Sequence, residues 1–143
     1  METILNQISK QVQLNFLAEE FFIQNELKRK KEAFLKVILS TNYPKSMNKY
    51  KRVSASPIRY AGGKSLAVGH IVELLPDNIT KIVSPFFGGG SVEIAMSKYL
   101  DLEVRGFEIF DILCNYWKFQ IENPKLLYEE LKKLKPTKEE FER

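Results

Sequence analysis

The chain has 143 residues, 44% of them hydrophobic and 28% charged, with a net charge of +4 and a single cysteine, Cys114. That is enough for one domain with a sizeable core, and it excludes a disordered or collagenous chain, an intrachain disulfide and a multi-cysteine metal site. No apolar run approaches the roughly 18 residues of a membrane span, and no signal-peptide pattern opens the sequence, so a reducing, intracellular setting is expected.

Residues 2–40 are predicted to be helical. Ile4, Ile8, Val12, Phe16, Leu17, Phe21, Leu27, Phe34, Val37 and Ile38 recur at roughly helical spacing, with no Pro or Gly before residue 44. The stretch is one long helix or two, broken near Asn25. Its aromatic-rich side must be buried, against this domain or against a partner. A membrane-surface helix is a poorer fit, because acidic residues interrupt the polar face.

The positive charge is local. Residues 1–56 carry ten Lys/Arg and five Asp/Glu, whereas residues 57–143 carry twelve and thirteen; within 28–52 nine basic residues face one acidic residue. Such a cluster points to an anionic partner for that segment. Residues 41–56 form a polar, basic linker in which Lys45, Lys49, Lys51 and Arg52 alternate with Tyr43 and Tyr50. The mixture suits phosphate contacts and base stacking, although a solvated linker has the same composition.

From residue 57 the pattern changes. A helix over Ser65–Leu75 is stopped by Pro76, and Lys81–Ser84 is a short buried strand. A turn over Phe86–Gly90 leads to a helix at Ser91–Tyr99, then a second strand at Glu103–Phe107. A helix over Ile112–Glu122 follows, and another begins at Pro124. The alternation predicts an α/β fold, a parallel sheet with helices on both faces.

Three motifs carry chemistry. In Pro57-Ile58-Arg59-Tyr60-Ala61-Gly62-Gly63-Lys64-Ser65 the Gly-Lys-Ser ending invites a nucleotide P-loop, but that motif needs Gly at position 58, where this chain has Ile. What remains is a close backbone approach, free N–H groups at a helix start and a lysine for a carboxylate or phosphate; the plain alternative is a glycine turn with a solvated lysine. The second motif, Ile82-Val83-Ser84-Pro85-Phe86-Phe87-Gly88-Gly89-Gly90-Ser91-Val92, is strand, glycines, helix, the layout of cofactor loops at the end of a parallel strand. A dinucleotide loop would place a third glycine at position 93, which here is Glu93; the shorter loop suits S-adenosylmethionine, which has no pyrophosphate. The third is Glu108, at the end of the second strand, where a carboxylate can accept both ribose hydroxyls. His70 reads as surface or packing. Cys114 is expected in the core, with Tyr116 and Trp117 packing the same helix.

In this order and spacing, the motifs resemble the Dam-type (D12 class) DNA adenine-N6 methyltransferases, over about residues 57–141. Tyr60-Ala61-Gly62-Gly63-Lys64 is similar to the family's aromatic-Ala-Gly-Gly-Lys, which implies that Tyr60, Ala61, Gly62 and Lys64 contact the cofactor. Pro85-Phe86-Phe87-Gly88-Gly89-Gly90-Ser91 resembles the family's acid-Pro-Phe-x-Gly-x-Gly-Ser, with Ser84 in place of the acid. That change removes a partner for the cofactor's amino group or for Lys64. Glu108-Ile109-Phe110 and Leu113-Cys114-Asn115 align with Asp-Ile-Asn and Leu-Ile-Asn; the first keeps a ribose-binding carboxylate, and Phe110 replaces a polar residue. Asn123-Pro124 and the following Leu/Lys-rich helix resemble the family's next segment.

The resemblance implies a partial Rossmann-like, S-adenosylmethionine-dependent methyltransferase fold over 57–143, after a helical extension at 1–40 and the linker at 41–56. The family's catalytic Asp-Pro-Pro-Tyr is missing, since no two of the six prolines adjoin. The function expected is therefore the cofactor-binding subunit of a split adenine-N6 methyltransferase, active with a second subunit that supplies target recognition and the catalytic motif. Double-stranded DNA is the other expected partner, reached through Lys45, Lys49, Lys51 and Arg52; no metal and no membrane are expected. A cytoplasmic, prokaryotic or phage-encoded protein of restriction-modification type fits this reading. The length points the same way: few residues remain for a methyltransferase domain after the extension. A truncated methyltransferase, or a non-catalytic regulator or DNA-binding protein that kept the fold, is the alternative.

Overall fold

The computed structural model describes residues 2–42, 44, 45, 47–53, 56–134 and 137, with side chains from residue 10 onward. The chain divides into two units, Met1–Phe107 and Glu108–Arg143.

The first unit begins with one helix, α1, over Glu2–Ile38. Its 37 residues make it about 55 Å long at the α-helical rise. Asn25 does not break it. The Asn25 side-chain amide donates to the Phe21 carbonyl at 2.8 Å, and the helix runs through. From Leu27 onward the spacing Leu27, Lys31, Phe34, Ile38 puts one side chain per turn on a single buried stripe. Residues 10–25 are exposed throughout.

After α1 the chain turns back on itself. Leu39 and Tyr50 form an antiparallel bridge, with Ser40 N–H donating to the Lys49 carbonyl at 2.9 Å and Lys51 N–H to that of Ile38 at 2.7 Å. This register sends Tyr50 and Val53 into the core. Tyr50 is therefore a core residue and not a base-stacking platform, and Tyr43 lies outside the described residues.

Helix α2 covers Val68–Leu74, starting three residues later than the sequence predicts because Lys64–Ala67 form a turn. Strand β1 (Lys81–Ser84), helix α3 (Ser91–Leu100) and strand β2 (Glu103–Gly106) follow. The strands pair in parallel, Lys81 beside Glu103 through Ser84 beside Gly106. Val83 is 60% exposed, so β1 is covered on one face only, not buried on both as its apolar run suggests. The core joins Leu27, Phe34 and Ile38 to Val68 and Val72 of α2 and to Ala95, Met96 and Leu100 of α3. Phe34 stacks on Tyr99 at 4.9 Å. Lys31, also buried, donates to the Leu75 carbonyl just past α2 and to Asp77 at 2.6 Å, so its ammonium replaces water for both groups.

The second unit is a helix pair, α4 (Asp111–Glu122) and α5 (Pro124–Lys133). Pro124 opens α5, where its missing N–H costs nothing. Among the described residues of this unit only Leu113 is buried; Cys114 is half-buried, its thiol donating to the Glu108 carbonyl at 3.1 Å, rather than a core residue. Tyr116 and Trp117 meet edge to face at 5.2 Å, and burial raises the Tyr116 phenol above its ordinary pKa. No helix among the described residues is long and apolar enough to cross a membrane.

Candidate functional site

Strand β1 ends at Ser84, and the chain reaches α3 through Pro85–Gly90. Gly88 (φ +51°) and Gly90 (φ +64°) adopt the left-handed conformation that side-chain-bearing residues resist. The turn is tied to β2. Phe107 N–H donates to the Ser84 carbonyl at 2.8 Å, and Phe87 N–H to the Phe107 carbonyl at 2.8 Å. The Phe87 ring lies against Gly106, where a Cβ would come within 2.1 Å of it, and against Gly90, where the gap would be 2.7 Å. A glycine inside β2 is thereby explained: the aromatic ring occupies the space of its side chain. Phe86 is instead 86% exposed, and Pro85 is exposed beside it.

The Tyr60 segment packs onto this loop. A Cβ on Gly89 would lie 3.0 Å from the Tyr60 Cβ, and one on Gly88 3.4 Å from its ring. Gly63 N–H donates to the Tyr60 carbonyl at 3.0 Å, closing a turn through Ala61 and Gly62. Lys64 stays exposed, its ammonium donating to the Gly62 carbonyl at 2.5 Å. Beside Tyr60 lies a cavity of about 650 Å³ whose walls include Arg52, Ser56, Arg59, Gly63 and Ser91. That is the volume of a small-molecule site. Two guanidiniums and the start of α3 favour an anionic group there.

The sequence motifs did not single out Ser56 and Arg59. Ser56 Oγ bonds the Ile58 backbone on both sides, accepting from N–H at 3.2 Å and donating to the carbonyl at 3.0 Å. A serine two residues before an apolar residue carries little signal by itself. Glu93 also gains a place: its Oε1 accepts a hydrogen bond from Ser84 Oγ at 2.5 Å, linking the end of β1 to the first turn of α3.

In the second unit, Glu108 turns its carboxylate onto the backbone that follows. Its Oε1 accepts from the N–H groups of Ile109 and Phe110, both at 3.0 Å. This fixes the carboxylate ahead of α4. Ile109 is almost fully exposed and Phe110 half-exposed.

A family model for D12 class N6 adenine-specific DNA methyltransferases matches residues 60–143. The chain belongs to this family. No curated protein and no solved structure matches it. The methyltransferase match takes in the Tyr60 turn, the glycine loop and Glu108, and leaves out α1 and the basic segment.

That basic segment is unevenly available in this family member. Lys45, Lys51 and Arg52 are exposed. Lys49 pairs with Glu73 at 2.5 Å and lies over the Tyr50 ring at 5.1 Å. The Glu73 carboxylate, with a smaller effect from Tyr50, raises the Lys49 pKa; reciprocally, Lys49 lowers that of Glu73. His70 is exposed and packs edge-on against Tyr50 at 5.1 Å.

Proposed function

We propose that the chain is the S-adenosylmethionine-binding part of a DNA adenine-N6 methyltransferase, whose target recognition and Asp-Pro-Pro-Tyr motif come from a second polypeptide. The carrying observation is the packing of Tyr60 on the glycine loop, which unites two of the three sequence motifs. The residues present fit the cofactor: a cavity of small-molecule volume lies beside Tyr60, with Gly63 and Ser91 in its wall. When bound, S-adenosylmethionine supplies an electrophilic methyl group. The protein's share is to bind and orient. Tyr60, Ala61, Gly62 and Lys64, with Pro85–Ser91, would hold the methionine end. Glu108, pinned through Oε1, would accept the ribose hydroxyls, and Ile109 and Phe110 would flank the base. Calorimetric titration with S-adenosylmethionine should give saturable binding, weakened in Glu108→Ala by about 1–3 kcal/mol, the scale of a charged hydrogen bond. Unchanged affinity in that variant removes Glu108 from the ribose.

Two features support a partner subunit. Among the described residues the parallel sheet has only two strands, each with an unpaired edge that further strands would extend into a Rossmann-like sheet. The first half of α1 also exposes Val12, Leu14, Phe16, Leu17 and Phe21, an apolar surface suited to docking. Copurification from source cells tests this; a chain that stays alone ends the split-enzyme reading.

Lys45, Lys51 and Arg52, with Lys49 exchanging Glu73 for phosphate, would contact the DNA backbone. Neutralising Lys49, Lys51 and Arg52 together should flatten the salt dependence of DNA binding by the assembled enzyme. An unaltered slope would leave the segment without a DNA role.

A further inference from the structure

Helix α1 carries its apolar stripe past the point where the core ends. Phe16, Leu27 and Ile38 stand eleven residues apart, as do Val12, Ile23 and Phe34, and eleven residues make close to three full turns. Val12, Phe16 and Ile23 therefore lie on the same side of the helix as the buried stripe, yet all three are exposed. Leu14, Leu17 and Phe21 form a second exposed line, roughly 150° round the helix at about 100° per residue. We propose that a second copy of the chain covers both lines, laying the N-terminal half of its own α1 antiparallel to this one in the angle between the helix and the end of the sheet.

That angle has two apolar walls. One is the exposed half of α1. The other is the end of the first unit where both strands begin, and there Ile23, Leu27, Ile79, Leu100 and Leu102 surround a notch of about 160 Å³. A cavity of about 150 Å³ takes a benzene ring, so the notch accepts one large apolar side chain. The Lys30–Asp101 ion pair, at 2.7 Å, also lines it. A helix seated in the angle meets one wall with each of two sides, which two apolar lines on one helix provide. The seat is reciprocal, because each copy supplies an angle and the helix that fills the other's.

Area and charge select a second copy. Val12, Leu14, Phe16, Leu17, Phe21 and Phe22 are each 58–69% exposed. They offer on the order of 700 Å² of apolar surface per copy, close to the ~800 Å² that each side of a stable interface buries. Residues 10–25 carry only Lys10, Glu19 and Glu20, so two such segments meet without strong repulsion, and the two acids disfavour a nucleic acid or an anionic membrane. Residues 28–36 hold five basic residues against Glu32. Parallel pairing would set these basic stretches side by side; antiparallel pairing moves them to opposite ends. A second copy at α1 leaves the open edges of β1 and β2 to the polypeptide that completes the sheet, and its binding does not rest on the cofactor assignment above.

Sedimentation velocity on the full chain at micromolar concentrations tests the pairing. The wild type should form a dimer that grows no further. Phe16→Glu, on one line, and Phe21→Glu, on the other, should each raise the dimer dissociation constant about thirtyfold or more, the loss of one buried aromatic anchor. Both variants should keep the monomer's unfolding transition, since the core lies in the other half of α1. Spin labels at Gln24→Cys, in a Cys114→Ser background, should lie more than about 20 Å apart in the antiparallel dimer, against about 10 Å for parallel helices. A wild-type chain that stays monomeric overturns the proposal and gives the surface to a different polypeptide. Aggregates that keep growing with concentration also overturn it. A short label distance overturns the antiparallel arrangement, and an effect at only one of the two phenylalanines overturns the two-walled seat. None of these results bears on S-adenosylmethionine binding, so the two readings fail separately.

Discussion

The two halves of α1 share one unbroken backbone and have opposite surroundings. From Leu27 to Ile38 the apolar stripe is buried against α2 and α3, and Lys31 is buried with it. From residue 10 to residue 25 every side chain is exposed, with Phe16 at 60% and Phe21 at 69%. Helix formation and burial are therefore separate facts in this molecule. The first needs only a long stretch without Gly or Pro, propagating from a stable turn. The second needs a surface to meet, and the first unit offers one only to the C-terminal half.

If that contrast is right, matched substitutions in the two halves must differ in kind. Phe34→Ala removes a ring from the core and its stack with Tyr99, and should cost about 3–5 kcal/mol in chemical denaturation. Phe21→Ala should change stability by no more than about 0.5 kcal/mol, as for other surface positions, and should instead weaken copurification of a partner. A large loss of stability in Phe21→Ala would mean the N-terminal half is packed in the chain by itself. A smaller effect is expected at Lys31. Lys31→Met keeps the stem but strips the Leu75 carbonyl and Asp77 of their donor, at about 1–3 kcal/mol, while Lys10→Met should be neutral in the same melt. Equal effects at the two lysines would erase the distinction.

Much of the strand-loop-helix order was legible, because turn glycines, Pro76 and Pro124 punctuate the chain locally. The parallel pairing followed from the alternation of elements. What failed had non-local causes. Tyr50, set among lysines, looked like a nucleic-acid contact, and only the Leu39–Tyr50 bridge decides that it points inward. The apolar run at Ile82-Val83 looked buried on both faces, but a sheet of two strands leaves Val83 exposed. At the site, loss of the acid at Ser84 could be seen in the sequence. Its contact with Glu93 could not, since a separation of nine residues fits neither helical nor strand periodicity and is created by the fold of the loop.

The ring of Phe87 resting on Gly106 has a consequence for how such sequences can drift. Residues 87 and 106 share one volume, so they cannot change independently. A side chain acquired at 106 must displace the ring or wait until position 87 has become small. Relatives should divide into those with a bulky residue at 87 and glycine at 106, and those that carry the bulk at 106 instead.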